Sequence, residues 1–187
     1  MSQHNQTKFL SQPSLLLNLA GALGMCTSLL MAFFFQIFNG ELPCPLCMLQ
    51  RVGLMMVAFG FFLNIRFGPS ATHYAIIILS AMIGASVSLR QDLLHIVPGT
   101  GGYGSTIFGY HLYTWGFIAF MSMIILSAIL LVIDRNQLSD KPLPSATKLA
   151  KFLGVTLILI AAGNVASNLL VCGLSVCDGD PTGYIWS

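Results

Sequence analysis

The stretch Cys44-Pro45-Leu46-Cys47-Met48-Leu49-Gln50-Arg51 follows one long apolar run, residues 14–38, and opens a second, residues 47–65. Its proline sits where a helix would begin, a position at which the missing N–H is no loss. In a helix starting near Pro45, Cys47 and Arg51 stand one turn apart on the same face. A helix N-terminus and a guanidinium both favour thiolate over thiol, and the thiolate is the species that attacks disulfides and electrophiles. The motif therefore reads as a reactive sulfur with a cation beside it.

Outward from that motif, composition decides the solvent. Of the 187 residues, 56% are hydrophobic and 7% are charged, with a mean hydropathy of +0.82. Ordinary soluble domains carry roughly 25% charged residues, so the chain reads as an integral membrane protein. A net charge of +2 on so few ionisable groups gives no nucleic-acid footprint, because no basic cluster is present to meet phosphate. The length suits a single membrane domain, residues 1–187.

The run at residues 14–38 exceeds the roughly 30 Å hydrocarbon layer at about 1.5 Å per residue, so it crosses with tilt. It is too long for a signal-peptide core. Further spans are expected at about residues 47–65, 74–96, 110–133 and 152–171. The third carries Arg90-Gln91-Asp92 and His95 at its far end, and a Gly-rich loop, residues 98–109, follows. Residues 134–151 form the most charged connection, and a tail holding Cys172 and Cys177 closes the chain. The fold class is all-α, a polytopic membrane helix bundle, since lipid leaves the backbone few choices other than helix. Cys26, inside the first span, reads as a small packing residue.

Five spans place Lys8, Arg66, Arg135, Lys141, Lys148 and Lys151 on one side and only Arg51 and Arg90 on the other. Cytoplasmic segments retain basic residues, so the N-terminus is expected in the cytoplasm and both Cys pairs outside. An outer compartment sustains disulfides that cytosol would reduce. Tyr103, Phe108, Tyr110, Tyr113 and Trp115 cluster where an outer aromatic belt would lie.

These features together resemble the bacterial disulfide bond formation protein B family, DsbB: a Cys-x-x-Cys opening the second span, an arginine four residues later and a second outer Cys pair. Arg90-Gln91-Asp92-Leu93-Leu94-His95-Ile96, Tyr103-Gly104 and Gly109-Tyr110-His111-Leu112-Tyr113-Thr114-Trp115 are similar to that family as well, and the resemblance covers most of the chain from Phe35 onward. It implies a four-helix core with a fifth helix added, in the bacterial inner membrane. It also implies a thiol oxidase that takes electrons from a periplasmic DsbA-like dithiol carrier and passes them to a membrane quinone, ubiquinone or menaquinone. Cys44 and Cys47 would be the quinone-reducing pair, with Cys47 the quinone-contacting thiolate and Arg51 helping to hold the quinone. Family members of the best-known kind carry the second pair between spans three and four. Here it follows a fifth span, as Cys172 and Cys177.

The expected relay runs from an external dithiol to a Cys172–Cys177 disulfide, then by exchange to Cys44 and Cys47, with His95 as a candidate proton relay to the bound quinone. Competing readings stand beside each element. Arg51 can snorkel to headgroups, Arg90 and Asp92 can form a plain interfacial pair, and His95 can bond a neighbouring carbonyl. His111 reads as a belt residue. The Gly-rich loop can cover a ligand or simply turn. Asn164, Ser167 and Asn168 form a polar stripe best explained by interhelical hydrogen bonds. The two Cys pairs can be structural disulfides, while a four-thiolate zinc cage is disfavoured by the spacing of Cys172 and Cys177. At the level of the whole protein, the alternatives are a conduit carrying reductant outward, a membrane scaffold or small transporter with structural cysteines, and a quinone-coupled enzyme resembling vitamin K epoxide reductase. The early position of the Cys-x-x-Cys disfavours the last.

Overall fold

The computed structural model describes residues 12–97, 99, 101–136, 138, 147–174, 177 and 183–184. Five helices carry the chain: α1 (Gln12–Phe38), α2 (Pro45–Phe67), α3 (Ala71–Leu94), α4 (Leu112–Ile133) and α5 (Thr147–Cys172). All five are long and apolar enough to cross a membrane, and the protein is a polytopic helical membrane protein. Lys8 and Lys141, which enter the charge asymmetry, lie outside the described residues.

Local sequence sets the helix ends. Cys44 is the N-cap of α2, its sulfur accepting the Cys47 backbone N–H at 3.1 Å, and Pro45 follows in the first turn. The helix stops at Gly68, whose φ of 92° lets its N–H return to the Asn64 carbonyl at 2.9 Å. Ser70 then caps α3 by accepting from Thr72 N–H at 3.3 Å. Most ends fall within three residues of the sequence expectation, and two of the shifts bear on the site or on the charged connection. The helix α3 stops at Leu94, with His95 as its C-cap rather than inside the span. The helix α5 starts at Thr147, ahead of Lys148 and Lys151, because lysine is a good helix former that a hydropathy criterion for lipid excludes.

Helices α1 to α4 pack as a bundle in which each touches the next and α4 returns to α1, while α5 lies outside against α2 and α1. Lipid is as apolar as leucine, so close packing rather than water exclusion must hold such helices together. Glycines supply the close approaches. A Cβ on Gly53 of α2 would stand 3.2 Å from the Cα of Gly84 on α3, and the Phe120 ring of α4 fills the notch above both. A Cβ on Gly21 of α1 would meet the Phe61 ring at 2.7 Å. Phe61, Tyr74, Ile77, Phe120 and Leu130 are fully buried in this seam, and Cys26 packs there as a small apolar residue. Leu79, Ile83, Ile125, Val132, Ile158 and Leu159 face outward, as lipid contact requires.

The connection between α3 and α4 adds an element that the all-helical expectation lacked. Strands β1 (Thr106–Ile107) and β2 (Tyr110–His111) pair antiparallel, Thr106 with His111 and Ile107 with Tyr110. The turn residues Phe108 and Gly109 have φ of 51° and 84°, the left-handed pair that matches the twist of a two-residue hairpin.

Up-and-down packing gives the bundle two unlike ends. One gathers the end of α1, the start of α2, the end of α3, the hairpin, the start of α4 and the end of α5. The opposite end holds a buried polar cluster. There the Asp134 carboxylate accepts from Ser14 Oγ and from Tyr74 OH, both at 2.6 Å. Asn64 Nδ2 donates to Asn18 Oδ1 at 2.9 Å, and His73 Nδ1 lies 3.1 Å from Asn64 Oδ1. These contacts tie α1, α2 and α3 to the C-cap residue of α4.

Candidate functional site

Cys44 and Cys47 form a disulfide across the first turn of α2. Cys44 is buried as the cap and Cys47 is half-buried one turn on. The next turn presents Arg51, 5% exposed. A charge so deep needs partners, and it has them. One guanidinium nitrogen donates to Gln36 Oε1 at 2.7 Å, the other to the Ala32 carbonyl at 3.1 Å, and the group sits 4.9 Å from the Phe33 ring centroid. Gln36 in turn donates to Ser167 Oγ on α5 at 2.8 Å. Arg51 is thus held inward by α1, with α5 behind it, and does not snorkel.

A third helix reaches the sulfurs. Gln91 of α3, 1% exposed, donates from Nε2 to Cys44 Sγ at 3.4 Å and to Cys47 Sγ at 3.6 Å. Its carbonyl accepts from Gln50 Nε2 at 2.8 Å. In the sequence Gln91 stands only as one position of the segment Arg90 to Ile96. The signal that would have singled it out is a lone amide about a turn from the end of a lipid-spanning helix, where an unpaired polar group is costly.

Cys47, Gln50 and Arg51 line a cavity of about 390 Å³, within the range of small-molecule sites. The rest of its wall is mainly apolar or aromatic, including Met31, Phe35, Leu54, Tyr113 and Trp115. Tyr103, Ile107 and Phe108 of the Gly-rich connection close one side, so this connection covers a cavity and does more than turn. It is latched by the Glu41 carboxylate, which accepts from Ser105 N–H at 3.1 Å and from the Ser105 hydroxyl. Tyr103 OH donates to the Leu42 carbonyl, and Trp115 Nε1 donates to the Ile107 carbonyl at 3.0 Å. The aromatics read as a belt from sequence are in good part cavity wall.

The remaining predicted residues take distinct places. His95 does not line the cavity. Its Nδ1 lies 2.9 Å from the Gln91 carbonyl, and its ring stacks on Tyr113 at 5.5 Å between centroids. His111 stacks on the same tyrosine at 5.1 Å. Asp92 accepts from Thr114 Oγ1 of α4 at 2.5 Å, a helix-to-helix contact in place of the expected pairing with Arg90. Cys172, the last residue of α5, forms a disulfide with Cys177. Cys172 and Val171 pack against Met48, the neighbour of Cys47, with Leu42, Cys177 and Tyr184 alongside. Both disulfides therefore share one end of the bundle. Of the polar stripe on α5, Ser167 makes the interhelical bond to Gln36 described above.

With this geometry in place, comparison with known proteins is specific. The sequence profile described as Disulfide bond formation protein DsbB matches residues 14–102. Residues 14–102 belong to the DsbB family. Among curated proteins, Disulfide bond formation protein B of Chromobacterium violaceum is 41% identical over 83 residues, 42% of this chain and 46% of that protein. The protein of the same name from Pseudomonas syringae pv. tomato is 37% identical over 92 residues, 46% of this chain and 53% of that protein. Disulfide bond formation protein B 1 of Pseudomonas fluorescens strain Pf0-1 is 27% identical over 140 residues, 57% of this chain and 83% of that protein. The first two alignments span only about half the length of the DsbB relatives. No solved structure matches the chain. The DsbB segment begins within α1, ahead of Phe35, and contains Cys44, Cys47, Gln50, Arg51, Gln91 and His95. The stretch from Gly109 to Trp115 and the pair Cys172 and Cys177 lie beyond it.

Proposed function

We propose that the protein is a thiol oxidase of the bacterial inner membrane, with its N-terminus in the cytoplasm and both disulfides on the periplasmic side. It reoxidises a DsbA-like dithiol carrier and delivers the electrons to a membrane quinone, ubiquinone or menaquinone. The observation that carries this reading is one arrangement: a Cys-x-x-Cys disulfide at a helix N-terminus beside an apolar cavity into which a buried guanidinium also faces.

The cavity suits a quinone by its own chemistry. Its wall is apolar enough for a ring and tail, and of the five N–H groups of a guanidinium Arg51 gives one to Gln36 and one to Ala32, leaving donors for a ring oxygen. Gln50 and Arg51 would hold the polar edge, and the side chains of Met31, Leu54 and Trp115 the apolar face. A quinone held there supplies a two-electron, two-proton acceptor.

The residues of the chain perform the thiol chemistry. A carrier thiolate attacks the Cys172–Cys177 disulfide, and resolution of that mixed disulfide leaves an oxidised carrier and two reduced tail cysteines. One tail thiolate then attacks Cys44 Sγ. The Cys44–Cys47 bond breaks and its electron pair stays on Cys47 Sγ. There the amides of the first turn of α2 and the Arg51 charge stabilise the anion. His95 supports the wall through Tyr113 rather than by touching the bound ring.

The test is a coupled assay on purified protein with a reduced dithiol carrier and added quinone. One quinone reduced per dithiol lost is the expected result, abolished by Cys44→Ser. Thiol loss that ignores the quinone, or that survives Cys44→Ser, overturns the reading in favour of structural cysteines.

A further inference from the structure

The geometry points to Gln91 as a catalytic residue whose side-chain amide donates hydrogen bonds to the sulfur anion released when the Cys44–Cys47 disulfide opens, with Gln50 fixing the direction of that amide. The inference rests on the reading of this disulfide as one that exchanges.

An amide can present either its oxygen or its nitrogen to a neighbour, and the two are opposite in effect. Oxygen lone pairs against a sulfur anion repel it, whereas N–H groups attract it. Here Gln50 Nε2 donates to Gln91 Oε1 at 2.8 Å, and Gln91 Nε2 is the nearer amide atom to the sulfurs, at 3.4 Å from Cys44 Sγ and 3.6 Å from Cys47 Sγ, with Oε1 4.0 Å from Cys47 Sγ. Were Gln91 reversed, two amide nitrogens would face each other and its oxygen would face sulfur. Gln91 and Cys44 are 1% and 4% exposed and Cys47 is half-buried, so the donor acts where charge is screened less than in water. A neutral disulfide accepts hydrogen bonds weakly, while a thiolate accepts strongly. The contact therefore gains strength as the reaction proceeds, the condition for lowering a barrier.

In the step concerned, an incoming thiolate forms a bond to Cys44 Sγ while the Cys44–Cys47 bond breaks. The bonding pair becomes the Cys47 thiolate, and no proton moves. Gln91 reaches both sulfurs from a different helix than Arg51, so the two stabilise the anion from separate sides.

The experiment needs no quinone, which separates its outcome from that of the proposed oxidase. In full-length protein carrying Cys44→Ser, the rate of Cys47 alkylation is followed against pH, the site being located by peptide mass. In protein with both cysteines, the Cys44–Cys47 disulfide is equilibrated against thiol buffers. Gln91→Met, of similar length and without donors, is expected to shift the Cys47 half-point up by about one pH unit, tenfold less thiolate. It should also favour the disulfide about tenfold, about 30 mV for a two-electron couple. Gln91→Glu shifts the half-point further in the same direction, by placing a carboxylate against the sulfurs. Unchanged half-points in both variants overturn the proposal, since a merely structural amide would alter stability and leave the titration in place. Where Gln91→Met fails to fold by helicity, Gln50→Leu decides. It leaves Gln91 present but unaimed, and an unmoved half-point there is equally fatal.

Discussion

The two ends of the bundle use similar polar residues to opposite effect. At the Asp134 end, Ser14, Tyr74, Asn18, Asn64 and His73 bond to one another or to the carboxylate, and the result is a clasp between helices. At the cysteine end, Gln36, Gln50, Arg51 and Gln91 also bond to one another in part. Yet each of Gln36, Gln50 and Arg51 borders a cavity, and Gln91 touches two sulfurs. Buried polar groups in a membrane protein are costly wherever they sit. What separates the two ends is whether the polar set faces only other helices or also borders a space.

That contrast can be broken experimentally, and the sharpest break is at the sulfurs. Cys47→Ser is expected to reduce thiol oxidation to the uncatalysed background. Resistance to unfolding in detergent should fall by no more than about 2 kcal/mol, the loop-closure contribution of so short a loop. Next in size is Arg51→Ala. Loss of hydrogen bonds from a charged group, about 1.5–3 kcal/mol, predicts a rise of about 10–100-fold in the quinone concentration giving half the maximal rate. Turnover at saturating quinone should fall as well, because the same charge steadies the Cys47 thiolate.

The opposite end should answer in reverse. Asp134→Ala leaves the Ser14 and Tyr74 hydroxyls without their acceptor, which costs about 1–3 kcal/mol of stability. Activity per folded molecule should stay unchanged, as measured by unfolding and by assay of the surviving fraction. A variant that keeps its stability and loses quinone use would erase the distinction between the ends. The smallest effect is expected for Ser167→Ala, which removes a bond reaching Arg51 only through Gln36. Interhelical bonds of this kind average about 0.6 kcal/mol, so the half-saturating quinone concentration should rise no more than about threefold.

The helical architecture was legible because apolar runs separated by charge have few interpretations in lipid. The shared end of the two Cys pairs was legible because five spans alternate direction. The cation at Arg51 was visible from its spacing to Cys47 alone. Other features were hidden for identifiable reasons. Gln91 stands 44 residues from Cys47, and only the α2–α3 packing at Gly53 and Gly84 brings them together. The Asp134 clasp joins residues as far as 120 positions apart, beyond any local pattern. Of the two readings His95 allows, proton relay or a bond to a neighbouring carbonyl, the second is the contact seen: α3 ends one residue before it, Nδ1 lies 2.9 Å from the Gln91 carbonyl, and the ring stacks on Tyr113. The hairpin went unread because its strands are two residues each, too short for alternation to register.

One consequence follows from that hairpin. Phe108 is 91% exposed, held outward by a left-handed turn that few side chains accept, while its backbone neighbour Ile107 is tied to Trp115 at the start of α4. This side of the chamber is thus shaped by a six-residue hairpin together with the first turn of α4. Substitutions confined to that hairpin would recut this wall while the five helices keep their packing.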